Sequence, residues 1–364
     1  MSDVKPNQKS GLLPEYIAHL TAYSSAKSEK LTGSTWLNAN ENPYAKNITI
    51  SADDLNRYPE PQPENVISRY ANYAQVNTNQ VLMTRGADEG IELLIRTFCE
   101  PGKDSIALFL PTYGMYKVSA QSHNISLNAL SQLDLQSDSI AQLVEKIGDS
   151  KLVFICNPNN PTGALVDTKR IQALSDALPS NTILVVDEAY IEFCSDYSST
   201  MLINEITNIV VLRTLSKAFA LAGLRCGFTL ASTTILAAMK KVIAPYPVST
   251  VAATIAKNAL ENDAITSMRR QVNILNKLKC ELTDWLDTSP QVEQVLSGSG
   301  NFVTLKLTSA AYIQVASEMG LIMRPFNLFD SDTWLRISIG SNSELAQVKI
   351  WLDTINKNNL SSKR

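Results

Sequence analysis

Residues 209–227 read IVVLRTLSKAFALAGLRCG, and the fold turns on how they divide. The run 209–212 is apolar and β-branched, of a length that suits a buried strand. It runs out at Thr214-Leu215-Ser216-Lys217, and after a short gap comes Gly223-Leu224-Arg225-Cys226-Gly227. A single lysine is ordinarily a surface residue. This one follows a buried strand directly, is preceded by a hydroxyl, and is followed by an arginine on a glycine-flanked turn. Partial desolvation and a neighbouring cation lower a lysine's pKa, the condition that Schiff-base chemistry requires. Ser216 and Arg225 suit a phosphate, the arginine through a charge-assisted fork.

Outward from this stretch, strand-sized apolar runs at 105–110, 152–156, 182–186 and 226–230 alternate with helix-like segments at 87–98, 167–178 and 232–242. The alternation predicts an α/β fold with a mainly parallel sheet covered on both faces. A chain of 364 residues exceeds the size of one hydrophobic core, so two units are expected. Residues 1–49 read as an N-terminal arm and part of the small domain, with a short helix near 15–20. Residues 50–262 form the large domain. Beyond 262 a long charged helix (263–287) precedes strand-like runs at 302–307, 321–324 and 334–339 and helices at 310–319 and 343–355, giving a smaller α+β domain over 263–364. The tail LSSKR is expected to fray.

Apolar residues make up 45% and charged residues 18% of the chain, values typical of a folded globular protein. The net charge of −3 and the lack of any Lys/Arg run argue against nucleic acid as a partner. No apolar stretch approaches the ~20 residues of a membrane helix, and the polar MSDVKPNQKS start lacks a signal core, so the expected location is the cytoplasm. The five cysteines and two histidines (His19, His123) show no metal-ligand spacing, so no metal is expected. With so few histidines, acid–base work falls to a lysine, a tyrosine or a cofactor.

Ligands in open α/β sheets bind beyond the carboxyl ends of the strands, and three further stretches sit at such ends or helix starts. Asn157-Pro158-Asn159-Asn160-Pro161-Thr162-Gly163 is a rigid turn with a side-chain amide at its apex, or an ordinary Asn-Pro turn. Asp187-Glu188-Ala189-Tyr190 puts a carboxylate almost inside the core. Such a charge needs a cation, either a protonated ring nitrogen of a bound cofactor or a core arginine, unless Asp187 simply caps a helix. Thr84-Arg85-Gly86-Ala87-Asp88-Glu89-Gly90 opens a helix whose free N–H groups could hold a phosphate, or forms an acidic N-terminal turn.

In order and approximate spacing, Asn160, Asp187 with Tyr190, Ser216-Lys217 and the Gly223–Gly227 turn resemble the fold-type-I pyridoxal-phosphate enzymes. Within them, Leu37-Asn38-Ala39-Asn40-Glu41-Asn42-Pro43, Arg57-Tyr58-Pro59, Gly86-Ala87-Asp88-Glu89 and Leu335-Arg336-Ile337-Ser338-Ile339-Gly340 resemble the histidinol-phosphate aminotransferase family. Pro325-Phe326 fits no assigned pattern, and Cys226 occupies a variable position. The resemblance implies a seven-stranded large-domain sheet and the cofactor pyridoxal 5'-phosphate, held by Lys217 as a Schiff base. It implies a catalytic set of Lys217, Asp187 and Tyr190. Lys217 moves the proton, Asp187 holds the pyridine nitrogen protonated, and Tyr190 and Asn160 bind the ring's phenolate oxygen. Tyr113 stacks on the ring, while Ala87, Asp88, Ser216 and Arg225 hold the phosphate. Tyr58 reaches that phosphate from a second subunit, making the active unit a homodimer with shared sites. Arg336 takes the substrate's anionic end, with Arg324 and Tyr23 as helpers and Asn160 nearby. The implied reaction moves an amino group between L-histidinol phosphate and 2-oxoglutarate, in histidine biosynthesis. A decarboxylase of the threonine-phosphate type, an aminotransferase of free aromatic amino acids, and a cofactor-sensing binding protein remain as alternatives.

Overall fold

The computed structural model describes residues 13–21, 32–46, 48–49, 55–296 and 298–361, with side chains described up to 356. After a two-residue strand, β1 (Thr35–Trp36), seven strands build one sheet: β2 (Val81–Thr84), β3 (Ser105–Leu110), β4 (Ser126–Ser131), β5 (Leu152–Cys156), β6 (Ile183–Asp187), β7 (Ile209–Thr214) and β8 (Gly227–Ala231). Their spatial order is β2-β8-β7-β6-β5-β3-β4. All neighbours are parallel except β8, which runs antiparallel to both β2 and β7.

The sheet is mainly parallel and seven-stranded, as the resemblance implies. Its central strands are buried along their whole length because helices cover both faces. The pleat sorts their side chains into two cores. Leu184, Val186, Ile209 and Val211 enter one, while Val185, Val210 and Leu212 enter the other. The expected runs 105–110 and 152–156 match β3 and β5 to the residue, and the expected helix 87–98 is Gly86–Phe98.

A second sheet is antiparallel, in the order β12-β13-β10-β9, from β9 (Val292–Leu296), β10 (Phe302–Leu307), β12 (Arg324–Leu328) and β13 (Ser331–Ser338). The run expected at 321–324 is divided: β11 (Leu321–Ile322) pairs in parallel with β1, and Arg324 begins β12. The helix Asn262–Asp287 links the two sheets in sequence, burying Leu275, Leu278, Leu282 and Leu286 along one stripe. The cysteines are all free; Cys99, Cys156 and Cys226 are buried, whereas Cys280 is exposed on that helix.

Two consequences position the site. Strands β5, β6 and β7 lie side by side and end almost level, with Cys156 opposite Asp187 and Asp187 opposite Leu212. The loops that leave these ends carry Asn160, Tyr190 and Lys217. Segment 37–42 then crosses from β1 toward the same ends, held to β11 by the Leu37 N–H donating to the Ile322 carbonyl at 2.7 Å.

Candidate active site

A cavity of about 850 Å³ opens where the strand ends meet the antiparallel sheet. It is lined by Ala87, Asp88, Tyr113, Asn160, Asp187, Tyr190, Ser216, Lys217, Arg225, Arg324 and Arg336. These residues come from seven separate stretches of chain, and eleven of the thirteen residues expected from the sequence are among them. Tyr58 is not; it is 82% exposed and stacks on Tyr246 with ring centroids 4.6 Å apart. Tyr23 lies outside the described residues.

Asp187 closes strand β6 with 2% of its surface exposed. The Tyr116 hydroxyl donates to its Oδ2 at 2.7 Å, and the Ala189 backbone N–H donates to its Oδ1 at 3.1 Å. Burial pushes its carboxyl up to about 6, against the pull of these two donors. The core arginine that could have neutralised it, Arg213, goes to its neighbour instead: Arg213 Nε lies 2.7 Å from Glu188 and Nη1 lies 3.4 Å from Glu192. Successive residues of a strand point to opposite faces, so the arginine serves Glu188 behind the sheet while Asp187 faces the cavity. Among the described residues Asp187 has no cationic partner. A buried carboxylate of this kind fits a ligand that brings its own positive charge, as a protonated pyridine ring does.

Lys217 follows β7 by three residues. Its Nζ donates to the Ala39 carbonyl at 2.9 Å and sits 5.5 Å from the Tyr190 ring centroid. Burial, and secondly the Arg336 guanidinium, lower its pKa to about 8. At neutral pH a larger share is therefore the nucleophilic amine than in an exposed lysine.

The helix Gly86–Phe98 begins at the cavity. Gly86 has φ +80°, and a Cβ at Gly227 would come within 2.6 Å of the Ala87 nitrogen, so both positions need glycine for this close approach. Asp88 accepts from the Tyr113 hydroxyl at 3.0 Å and from Arg225 Nη2 at 3.1 Å. Arg225 Nη1 is 3.5 Å from Ser216 Oγ. Glu89 meanwhile accepts from the Arg85 backbone N–H at 2.6 Å, as an acidic first turn does, while Ala87 and Asp88 line the cavity.

The antiparallel sheet supplies Arg336, whose neighbours Leu335 and Ile337 are fully buried on the other face. Its Nη1 donates to Asn160 Oδ1 at 2.5 Å and its Nη2 to the Asn38 carbonyl at 2.8 Å. Arg324 lies directly opposite it across the β12–β13 pair. Two guanidiniums in register repel one another, and both line the cavity, which suits an anion placed between them. Phe326, which had no assignment in the sequence, also lines the cavity, its ring 5.3 Å from the Arg336 guanidinium carbon.

Two participants escaped sequence reasoning. Tyr116 lies three residues after Tyr113, and that i, i+3 spacing into a helix was the available signal. Asn40 donates from Nδ2 to the Tyr190 hydroxyl at 3.0 Å; it stood in a motif that carried the resemblance, but with no role attached.

The profile of the aminotransferase class I and II family matches residues 28–355. The chain is 44% identical over 339 residues to a histidinol-phosphate aminotransferase of Cronobacter sakazakii, covering 93% of this chain and 94% of that protein. In fold it is similar to the crystal structure of histidinol-phosphate aminotransferase from Sinorhizobium meliloti in complex with pyridoxal-5'-phosphate, with TM-score 0.83, 20% identity, and coverage of 95% and 98%. It is also similar to an L-threonine-O-3-phosphate decarboxylase of Porphyromonas gingivalis, with TM-score 0.74, 18% identity, and coverage of 89% and 100%. Backbone likeness therefore does not separate the two reactions, and sequence identity does. The chain belongs to the histidinol-phosphate aminotransferase family, within aminotransferase class I and II.

Proposed function

We propose that this protein is a pyridoxal-phosphate-dependent aminotransferase that moves an amino group between L-histidinol phosphate and 2-oxoglutarate, giving imidazole acetol phosphate and glutamate in histidine biosynthesis. The observation that carries the reading is the convergence in one cavity of a lysine with lowered pKa, a buried carboxylate without a cation among the described residues, and a facing pair of arginines. Bound pyridoxal phosphate supplies a conjugated ring that takes up the electron pair left when a proton leaves the substrate carbon.

The chain's residues have separable tasks. Lys217 holds the cofactor and, as an amine, moves the proton at the substrate carbon. Asp187, whose carboxyl burial raises to about 6 when no cation faces it, would keep the ring nitrogen protonated. Tyr190 and Asn160 donate to the ring oxygen. Asn160 can do so because Arg336 occupies its carbonyl oxygen, which leaves its NH₂ as the free end. Ala87, Asp88, Ser216 and Arg225 grip the phosphate, and Tyr113 covers the ring. Arg336 and Arg324 take the substrate's anion, with Tyr23 assisting. Histidinol phosphate lacks an α-carboxylate, so its phosphate must occupy the anchor that the glutamate carboxylate uses in the other half-reaction; a guanidinium can fork onto either.

The active unit is a homodimer in which Tyr58 serves the partner's site. This is supported by its 82% exposure and its absence from its own chain's cavity. The division into 50–262 and 1–49 with 263–364 is supported by the pairing of β1 with β11. The enzyme works in the cytoplasm on small anionic metabolites, with neither nucleic acid nor a membrane as partner. No helix among the described residues is long and apolar enough to cross a membrane.

The test has two parts. Borohydride treatment of the yellow holoenzyme should fix a pyridoxyl group on the peptide holding Ser216 and Lys217; fixation on Lys240 or Lys241 would overturn the assignment. In stopped flow, histidinol phosphate alone should convert the bound cofactor to pyridoxamine phosphate. Carbon dioxide release from a phosphorylated amino acid, with no amino transfer to 2-oxoglutarate, would establish the decarboxylase instead.

A further inference from the structure

Segment 38–42 borders the site, with Glu41 in the cavity lining. The Asn38 carbonyl accepts from Arg336, the Ala39 carbonyl accepts from Lys217 Nζ, Asn40 donates to Tyr190, and Asn42 Nδ2 donates to the Ala218 carbonyl at 3.2 Å. Asn40 acts through its side-chain amide and is the one of these held in the left-handed region, with φ 51° and 1% exposure. That conformation is open to Gly, Asn and Asp at low cost.

The bonds around Asn40 begin with one obligate donor. The Asn40 backbone N–H can only donate, and it does so to Ser338 Oγ at 2.8 Å. Ser338 accepts there and donates its own hydrogen to Asn40 Oδ1, 3.2 Å away. With Oδ1 so occupied, the amide must present its NH₂ to the Tyr190 hydroxyl. Asn301 Nδ2 completes the brace by donating to the Asn40 carbonyl at 2.9 Å. Because the Tyr190 oxygen accepts from Asn40, its own proton cannot point that way and is sent toward the cavity that Tyr190 lines.

We propose that Asn40 is a positioning residue that fixes the polarity of the Tyr190 hydroxyl, so that Tyr190 enters the site as a hydrogen-bond donor aimed at an anionic ring oxygen of the cofactor. The inference rests on the proposed cofactor reading and adds to it a residue that acts through Tyr190. The charged and titratable groups around Tyr190 are Arg336 from β13, Lys217 over the ring, Asp187 on the preceding strand end, and Cys156 from β5; none of them fixes the hydroxyl's direction as Asn40 does. With the cofactor bound, a donor from Tyr190 would make the ring oxygen less basic and would lower the pH at which the bound chromophore loses its proton.

The experiment replaces donor by acceptor at constant shape. Asn40→Asp should draw the Tyr190 proton back out of the cavity and move the pH midpoint of the bound chromophore's absorbance upward by about one unit, a tenfold change in the underlying equilibrium. Asn40→Gly keeps the left-handed turn and should shift the midpoint less, because the proton is then undirected but not withdrawn. In a Tyr190→Phe background Asn40→Asp should add no further shift, an outcome that a merely structural role does not produce. Midpoints unchanged in both Asn40 variants, or a full further shift without the tyrosine hydroxyl, would overturn the proposal. Failure of the wild-type protein to form any lysine-bound chromophore would overturn the cofactor reading itself, and this inference with it.

Discussion

Replacing Asp187 by Asn keeps the shape of the cavity floor and removes one charge, and it should move stability and activity in opposite directions. The carboxyl's folded-state pKa is raised from 3.8 to about 6 by burial. Between those values the folded state holds more protons than the unfolded one, so stability falls as pH rises from about 4 to 6 and stays reduced above. The two-unit rise amounts to ~3 kcal/mol, an upper bound on what the apoprotein gains at pH 7 when Asn takes the place of the charge. On the proposed reading the same carboxylate would face a protonated ring nitrogen in the holoenzyme, and removing one partner of a buried pair costs ~3–5 kcal/mol. With tenfold in rate for each ~1.4 kcal/mol, loss of about 4 kcal/mol lowers turnover on the order of 10³-fold. Chemical denaturation of apoprotein at pH 5 and pH 7, set beside stopped-flow half-reactions of holoenzyme, reads both arms. Near-normal turnover in Asp187→Asn would refute the electron-sink role. An apoprotein destabilised at pH 7 would refute the claim that the charge is uncompensated without cofactor.

Tyr116→Phe removes the hydroxyl that donates to Asp187 Oδ2 and should slow the half-reaction about tenfold, the scale of one hydrogen bond to a charged group; the acidic limb of its pH–rate profile should move upward, since a stabiliser of the ionised carboxylate is lost. Mixing inactive Tyr58 and Lys217 variants under subunit exchange should restore part of the activity, because a heterodimer then holds one intact site; no recovery after proven exchange would place Tyr58 outside the chemistry. Arg336→Lys should weaken both half-reactions, since a point charge does not reproduce the fork, whereas Arg324→Ala should harm the histidinol-phosphate half more than the glutamate half, as separate single-turnover titrations would reveal.

What the sequence made legible follows from where each signal is local. Strands β3 and β5 are walled on both faces, so they read as unbroken apolar runs with visible ends. Strand β4, SLNALS, lies at the sheet's edge with most side chains partly exposed, and it carries no such run. The antiparallel sense of β8 is set by its neighbours β2 and β7, which nothing within 226–230 announces. At the site, Asp187 and Lys217 stood out because a charge directly after an apolar strand violates a local rule. Tyr116 violates none, since an aromatic in an amphipathic helix is ordinary core. Asn40 meets Tyr190 across 150 residues of chain and Ser338 across 298, so its role exists only once the arm has folded back over both sheets.

The pair Asp187-Glu188 joins these strands of argument. Both carboxylates are buried, at 2% and 0% exposure, one residue apart on the same strand end. The pleat forces them to opposite faces, and the fold treats the faces differently. Behind the sheet, Glu188 receives Arg213 at 2.7 Å, the Ser199 backbone N–H at 2.5 Å and the Ser198 hydroxyl at 3.3 Å, so its charge is met from within the chain. On the cavity side, Asp187 receives two neutral donors. If burying a carboxylate at this strand end were only a packing necessity, the arginine would serve either residue equally well. Its place on β7, one residue before Thr214, reaches only the rear face. The same cross-strand ion pair ties the ends of β6 and β7, from which Asp187 and Lys217 project on the other side. The charge that is structural is thus neutralised by protein, and the charge that faces the cavity is left for a cationic ligand to neutralise.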